Sequence, residues 1–224
     1  MAAYTRLQFY HILSETGLMP LFYHPDPETA FQITAACYRG GARTIEFTNR
    51  GDFAHEVFGD LQKRVQKELP GMVLGAGSIP DAGTASLYMQ LGAGFIVSPV
   101  LSEEVAKTCN RRKIAYLPGC STLTEIAKAE EMGCEVVKLF PGEMFGPSFV
   151  KGLKGPMRWT SVMVTGGVEP TEASIREWFD AGVFCVGIGS RLISSELMDQ
   201  KQFDHLEKTV ANVISWIKQV RSCI

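Results

Sequence analysis

Residues 161–187 read SVMVTGGVEPTEASIREWFDAGVFCVG. They hold one complete strand–helix–strand unit. Ser161–Thr165 is a short apolar run of the kind that a buried parallel strand presents. Two glycines interrupt it. Pro170-Thr171 then offers a pre-set φ and a capping hydroxyl where a helical apolar period begins, and Thr171–Ala181 carries that period. Gly182 follows as a helix-ending glycine. Val183–Gly187 is a second apolar run. A helix joining two such runs is a crossover between parallel strands, and crossovers of this kind are right-handed.

The same unit recurs on either side. Apolar runs lie at Leu18–Tyr23, Ala42–Phe47, Met72–Ala76, Gly94–Ser98, Ile114–Pro118 and Glu135–Phe140, which with the two above makes eight. Helical patterns stand at Glu28–Arg39, His55–Leu69, Thr84–Leu91, Glu103–Cys109 and Leu123–Met132. Asp26-Pro27, Pro80-Asp81, Ser102 and Ser121-Thr122 mark starts, and Gly40-Gly41, Gly92 and Gly133 mark ends. Eight strand–helix units in 224 residues close most naturally as a (β/α)₈ TIM barrel of one domain, residues 1–224. On periodicity alone an open doubly wound sheet is the alternative. Tyr4–Thr16 reads as an extra N-terminal helix and Asp204–Arg221 as a long C-terminal one.

Charge and cysteine usage exclude several classes. A net charge of −2 with only the short Arg111-Arg112-Lys113 cluster argues against a nucleic-acid partner. Cys37, Cys109, Cys120, Cys134, Cys185 and Cys223 form no C-x-x-C pair and have no histidine at zinc-ligand spacing, so they read as reduced thiols of a cytoplasmic protein. The N-terminus has no leader pattern, and no apolar run spans a bilayer.

The chemistry-bearing residues emerge from strand phase, since a barrel strand alternates between lumen and helices. In Glu135–Phe140, Lys138 is set among apolar residues. A buried lysine is costly unless it is paired or loses its proton, and the neutral amine is a nucleophile toward ketones. In the second strand Thr44, Glu46 and Thr48 share one phase while Ile45 and Phe47 share the other. Strands two and six are both even-numbered, so Glu46 and Lys138 can meet in one lumen layer; a structural ion pair is the alternative. Arg50 follows in the loop beyond the strand, suited to gripping a carboxylate. Thr165-Gly166-Gly167 and Gly187-Ile188-Gly189-Ser190 end the seventh and eighth strands, where barrels commonly bind phosphate through backbone N–H groups. His24 is a loop histidine that could donate a proton or simply hold its turn.

With these residues assembled, the chain resembles the 2-keto-3-deoxy-6-phosphogluconate aldolase family, which also contains 4-hydroxy-2-oxoglutarate aldolases. Val137-Lys138-Leu139-Phe140-Pro141-Gly142-Glu143 looks like its Schiff-base segment, and Ile45–Arg50 like its Glu-x-Thr-x-Arg element. Gly75-Ala76-Gly77-Ser78, Ser98-Pro99, Pro118-Gly119, Thr165-Gly166-Gly167 and Gly189-Ser190 match in order. The resemblance implies that Lys138 forms an imine with a C2 ketone and that Glu46 shuttles protons. It further implies that Arg50 and Ser78 hold the pyruvate carboxylate, Pro99 shapes the wall, Thr165 faces hydroxyls, and Gly166, Gly167, Gly189 and Ser190 receive phosphate. It implies a homotrimer that acts on small molecules and needs no metal or cofactor. Ser78, Val100 and Gly142 depart from the usual pattern, as does Tyr23-His24-Pro25, where many members carry an arginine. A phosphate-sugar isomerase or epimerase and a non-catalytic sugar-acid-binding protein are the competing readings on the same barrel.

Overall fold

The computed structural model describes residues 3–222, so Cys223 lies outside the described residues. The chain runs α1 (Arg6–Thr16), β1 (Leu18–Phe22), α2 (Pro27–Arg39), β2 (Thr44–Thr48), α3 (Ala54–Glu68), β3 (Val73–Gly77), α4 (Ala82–Gln90) and β4 (Phe95–Val97). It continues through α5 (Glu103–Arg112), β5 (Ala115–Leu117), β6 (Gly119–Cys120), α6 (Leu123–Glu131), β7 (Val137–Leu139) and a 3₁₀ turn at Gly142–Met144. It finishes with α7 (Gly146–Lys154), β8 (Val162–Thr165), α8 (Glu172–Asp180), β9 (Cys185–Ile188), α9 (Ser195–Asp199) and α10 (Phe203–Arg221).

Every strand pairing is parallel, in the order β5-β4-β3-β2-β1-β9-β8-β7-β6. The two end strands, β5 and β6, are consecutive in the chain and separated only by Pro118. β5 lies within the expected fifth strand, Ile114–Pro118, and β6 continues it past the expected end; taken together as one strand they make the sheet a (β/α)₈ barrel. The interruption has a chemical cause, since proline has no N–H to give to a ladder. The chain changes partner at this residue: the Ser98 N–H donates to Leu117 O at 3.3 Å on one side, and the Lys138 N–H donates to Pro118 O at 2.8 Å on the other.

The helix starts follow the capping residues. Asp26, Asp81, Ser102, Thr122 and Thr171 each accept a backbone N–H three residues on. The N-terminal helix begins later than its periodicity suggests, at Arg6, because Thr5 and Gln8 form a capping box. Two helices escaped the periodic reading. α7 contains Gly146, Pro147 and Gly152, which dilute its apolar stripe, and α9 has only five residues.

Alternation along the strands builds two cores. Ile45, Phe47, Val137, Leu139, Val162, Val164, Val186 and Ile188 face the helices. Met19, Val73, Phe95, Val97, Ala115, Leu117, Val136, Met163 and Cys185 fill the lumen together with Phe9 and Leu13 of α1. α1 thus plugs the N-terminal end of the barrel, where the Phe9 and Phe95 rings stack at 4.5 Å. Among the described residues no such plug fills the opposite end, and there the polar residues gather. The five described cysteines are buried and unbridged.

Candidate active site

Glu46 sits mid-way along β2, in register with Leu21 of β1 and Gly75 of β3. Because Ile45 and Phe47 take the outward phase, its carboxylate enters the lumen, where the residue is 1% exposed. Glycine makes this possible. A Cβ built on Gly77 would stand 1.7 Å from Glu46 Oε1, so the carboxylate occupies the space a side chain would need. Glu46 Oε2 is buried with no hydrogen-bond partner. An unsatisfied buried carboxylate oxygen costs stability, and such groups concentrate where chemistry needs them.

Lys138 occupies the inward phase of β7, between outward Val137 and Leu139, and is 6% exposed. Its Nζ lies 5.1 Å from the centroid of the Phe140 ring. Among the described residues no carboxylate comes within 4.0 Å of it. The structural ion pair with Glu46 does not form, although both side chains occupy the lumen. Thr165 ends β8 in the same phase. Its Oγ1 is buried without a partner and packs against the open face of Gly187.

Around the mouth, the loops after successive strands carry the remaining residues. The Asn49 N–H donates to Gly77 O at 2.8 Å, and the Tyr88 hydroxyl donates to Asn49 Oδ1 at 2.9 Å. Burial, reinforced by nearby Tyr23, pushes the Tyr88 hydroxyl up to about 12, so it remains a donor. This anchors the loop that presents Arg50, whose Nε reaches Ser78 Oγ at 3.5 Å. Ser78 itself adopts a left-handed φ of 57°, a conformation held by its surroundings rather than preferred by serine. Ser98 is buried, its hydroxyl on Ile79 O, and Pro99 follows at the exposed rim.

A cavity of about 560 Å³ opens between the ends of β1, β2, β8 and β9. Arg50, Thr165, Gly166, Gly167, Gly189 and Ser190 all line it. Lys138, Glu46, Ser78 and Pro99 do not; Phe140, a lining residue beside Lys138 Nζ, is the link to the deeper pair. Gly166 and Gly167 have φ of 90° and 72°. Among the described residues, the backbone N–H groups of Gly166, Gly167, Ser190 and Arg191 donate to no protein acceptor. Unpaired N–H groups converging on a mouth suit an anion.

His24 lies outside the cavity. Its Nδ1 accepts the Asp26 N–H at 3.1 Å, which makes it part of the turn into α2. Sequence reasoning passed over Glu143 and Arg191 as lining residues, and singled out Tyr23 only as part of the departure at the end of the first strand. Tyr23 shares the strand-end position common to site residues. Glu143 lies in the 3₁₀ turn after β7 and Arg191 in the loop after β9, and only tertiary structure turns them inward. A Cβ on Gly166 would stand 2.0 Å from Glu143 Oε2, so this carboxylate lies directly over the glycine. Arg191 Nε pairs with Glu169 Oε1 at 3.1 Å. Among the described residues no group of three His, Cys, Asp or Glu side chains is placed to hold a metal ion, and no helix is long and apolar enough to cross a membrane.

Fold and site together define an α/β-barrel enzyme with a lysine and a carboxylate buried in the lumen and glycine loops at the mouth. The chain belongs to the KDPG and KHG aldolase family, whose model matches residues 10–209, and members of this family are aldehyde-lyases. It is 27% identical over 209 residues to the KHG/KDPG aldolase of Escherichia coli K12, covering 92% of this chain and 95% of that one. It is 30% identical over 193 residues to the 2-dehydro-3-deoxy-phosphogluconate aldolase of Zymomonas mobilis, covering 85% and 89%. The crystal structure of a 2-keto-3-deoxy-6-phosphogluconate aldolase from Zymomonas mobilis superposes with a TM-score of 0.78 at 27% identity, covering 90% of this chain and 95% of that one.

Proposed function

We propose that the chain cleaves 2-keto-3-deoxy-6-phosphogluconate, or a related 4-hydroxy-2-oxo acid, reversibly to pyruvate and an aldehyde such as glyceraldehyde 3-phosphate, through an imine on Lys138. The observation that carries this reading is the presence in one lumen of a buried lysine and a buried carboxylate that form no ion pair. An amine engaged by a carboxylate is a poor nucleophile; one held apart from it is available to a ketone.

In this mechanism Lys138 Nζ adds to the C2 ketone, and the carbinolamine loses water to give the protonated imine. Glu46 removes the C4 hydroxyl proton. The C3–C4 bond breaks, its electron pair passes to the imine nitrogen, and the aldehyde departs. Glu46 returns the proton to C3 of the enamine, and water releases pyruvate from Lys138. One carboxylate serves both steps because its protonation state after the first is the one required for the second. Arg50 and Ser78 take the substrate carboxylate, Pro99 forms the adjacent wall and Thr165 meets a hydroxyl. The N–H groups around Gly166, Gly167, Gly189 and Ser190 take an anionic tail. No cofactor enters this scheme. The enzyme works in the cytoplasm as a homotrimer.

The test is reduction with borohydride in the presence of pyruvate, read by intact mass and by peptide mapping. The expected result is a reduced pyruvate adduct on Lys138 that is absent from Lys138→Ala. No adduct on any lysine would refute the imine mechanism.

A further inference from the structure

The scheme above leaves the distal end of the substrate to backbone N–H groups alone. We propose that Arg191 grips an anionic distal group, a terminal phosphate monoester, and thereby sets the preference among substrates; this rests on the aldolase reading of the same site. Three observations converge on Arg191.

Charge comes first. Arg50 and Arg191 are the cations lining the cavity, and Glu143 is the acid. Arg50 is committed to the β2–β3 side, where it stands over Ser78. β1 contributes the uncharged Tyr23 to the lining. A distal anion therefore finds its nearest unassigned cation beyond β9. Position comes second. Arg191 directly follows Ser190, and the N–H groups of both residues are unpaired, while Gly189 O takes the N–H groups of Leu192 and Ile193 at 2.8 Å. The turn after β9 thus presents a guanidinium and two free donors together. Repulsion comes third. Glu143 Oε2 covers Gly166, so a dianion shared between the two glycine loops is pushed toward the β9 side of the mouth.

Arg191 is free to make this contact. Its partner Glu169 lies just beyond the β8 glycines, and the two side chains are 69% and 45% exposed. Exposed pairs of this kind are weakly held. A phosphate presented at the cavity mouth offers the planar guanidinium a bidentate partner of higher charge, so exchange of Glu169 for substrate is favoured.

The experiment measures kcat/KM for aldol addition of pyruvate to glyceraldehyde 3-phosphate and to unphosphorylated glyceraldehyde. The variants are Arg191→Ala, Arg191→Lys and Glu169→Gln. Because Arg191 is exposed, these variants fold. In Arg191→Ala the phosphorylated-to-unphosphorylated ratio falls roughly 10- to 100-fold, the size of one lost charge-assisted contact. Arg191→Lys keeps an intermediate ratio, since it retains charge without the fork. Glu169→Gln leaves the ratio at or above that of the wild type, and inorganic phosphate inhibits addition to the phosphorylated aldehyde more strongly in the wild type than in Arg191→Ala. An unchanged ratio in Arg191→Ala overturns the proposal. So does an equal fall in Glu169→Gln, which would mark the pair as a strut. Pyruvate trapping does not involve the distal end: loss of the Lys138 adduct in the wild type refutes the aldolase reading, whereas an intact adduct with an unchanged ratio refutes Arg191 alone.

Discussion

Replacing Gly77 by alanine displaces Glu46 without touching its chemistry. The added methyl carbon would lie 1.7 Å from Glu46 Oε1, 2.3 Å from Cδ and 2.6 Å from Cγ. Gly77 has an ordinary φ, so alanine brings no backbone strain and the effect is steric. To reach a normal contact distance the carboxylate must retreat by more than about 1 Å. A misplacement of that size in a reacting group costs on the order of 100-fold in rate, or about 2.7 kcal/mol of barrier. Overpacking the lumen also costs about 1–3 kcal/mol of stability, which lowers Tm by about 2–12 °C for a chain of this length. Gly75→Ala separates the two effects. Its methyl would meet the Phe95 ring first, at 2.5 Å, with no Glu46 atom among its three nearest neighbours, so it should lower Tm with a smaller loss of kcat than Gly77→Ala. The assay is steady-state cleavage at a temperature where both variants are folded, with pyruvate trapping on Lys138 as a control that the amine still reacts. Wild-type kcat in Gly77→Ala, or equal loss of kcat in both variants, would refute the argument that the position of the Glu46 carboxylate governs the rate.

Other consequences follow from single contacts. Phe9→Ala opens the plug at the N-terminal end of the barrel, where Phe9 is fully buried and stacked on Phe95; it should cost about 3–5 kcal/mol in urea unfolding while the trapped adduct persists in the folded fraction. Arg50→Ala should raise KM for pyruvate roughly 10-fold or more, with Arg50→Lys intermediate, because the role proposed for Arg50 is a fork onto the substrate carboxylate. The Asp81 carboxyl is held below the usual aspartate range, first by the Thr84 backbone N–H and then by the Thr84 hydroxyl. Its folded-state value being depressed, the stabilisation is complete above the ordinary aspartate value of about 3.9 and is lost as pH falls through the folded value. The Tm difference between wild type and Asp81→Ala should therefore be present at pH 7 and shrink below pH ~4; a difference that grew in acid would contradict the capping role.

Much of this molecule was legible in the chain. The strand phases of β2 and β7 placed Glu46 and Lys138 in the lumen because Ile45, Phe47, Val137 and Leu139 could not be spared from the helix-facing core. Helix starts were readable because a cap is a local contact, spanning three residues. α7 and α9 were not readable: one is diluted by glycine and proline, and the other is a single short turn whose stability comes from what it packs on.

What the amino-acid order determined on its own was therefore period and punctuation: eight strands, the helices after all but the sixth, their facing, the capping residues and the identity of the polar groups turned inward. Tertiary structure decided where those groups stand relative to one another. Pro118 splits one strand because of the partners on its two sides. Glu46 fits because Gly77 lies beside it, Glu143 covers Gly166 from the preceding loop, and Arg191 reaches Glu169 across two strand ends. The physical reason is range. Phase and capping arise within a few residues of backbone, whereas the distance between two charges at a barrel mouth is set by how all eight units close, and no short window of sequence contains it.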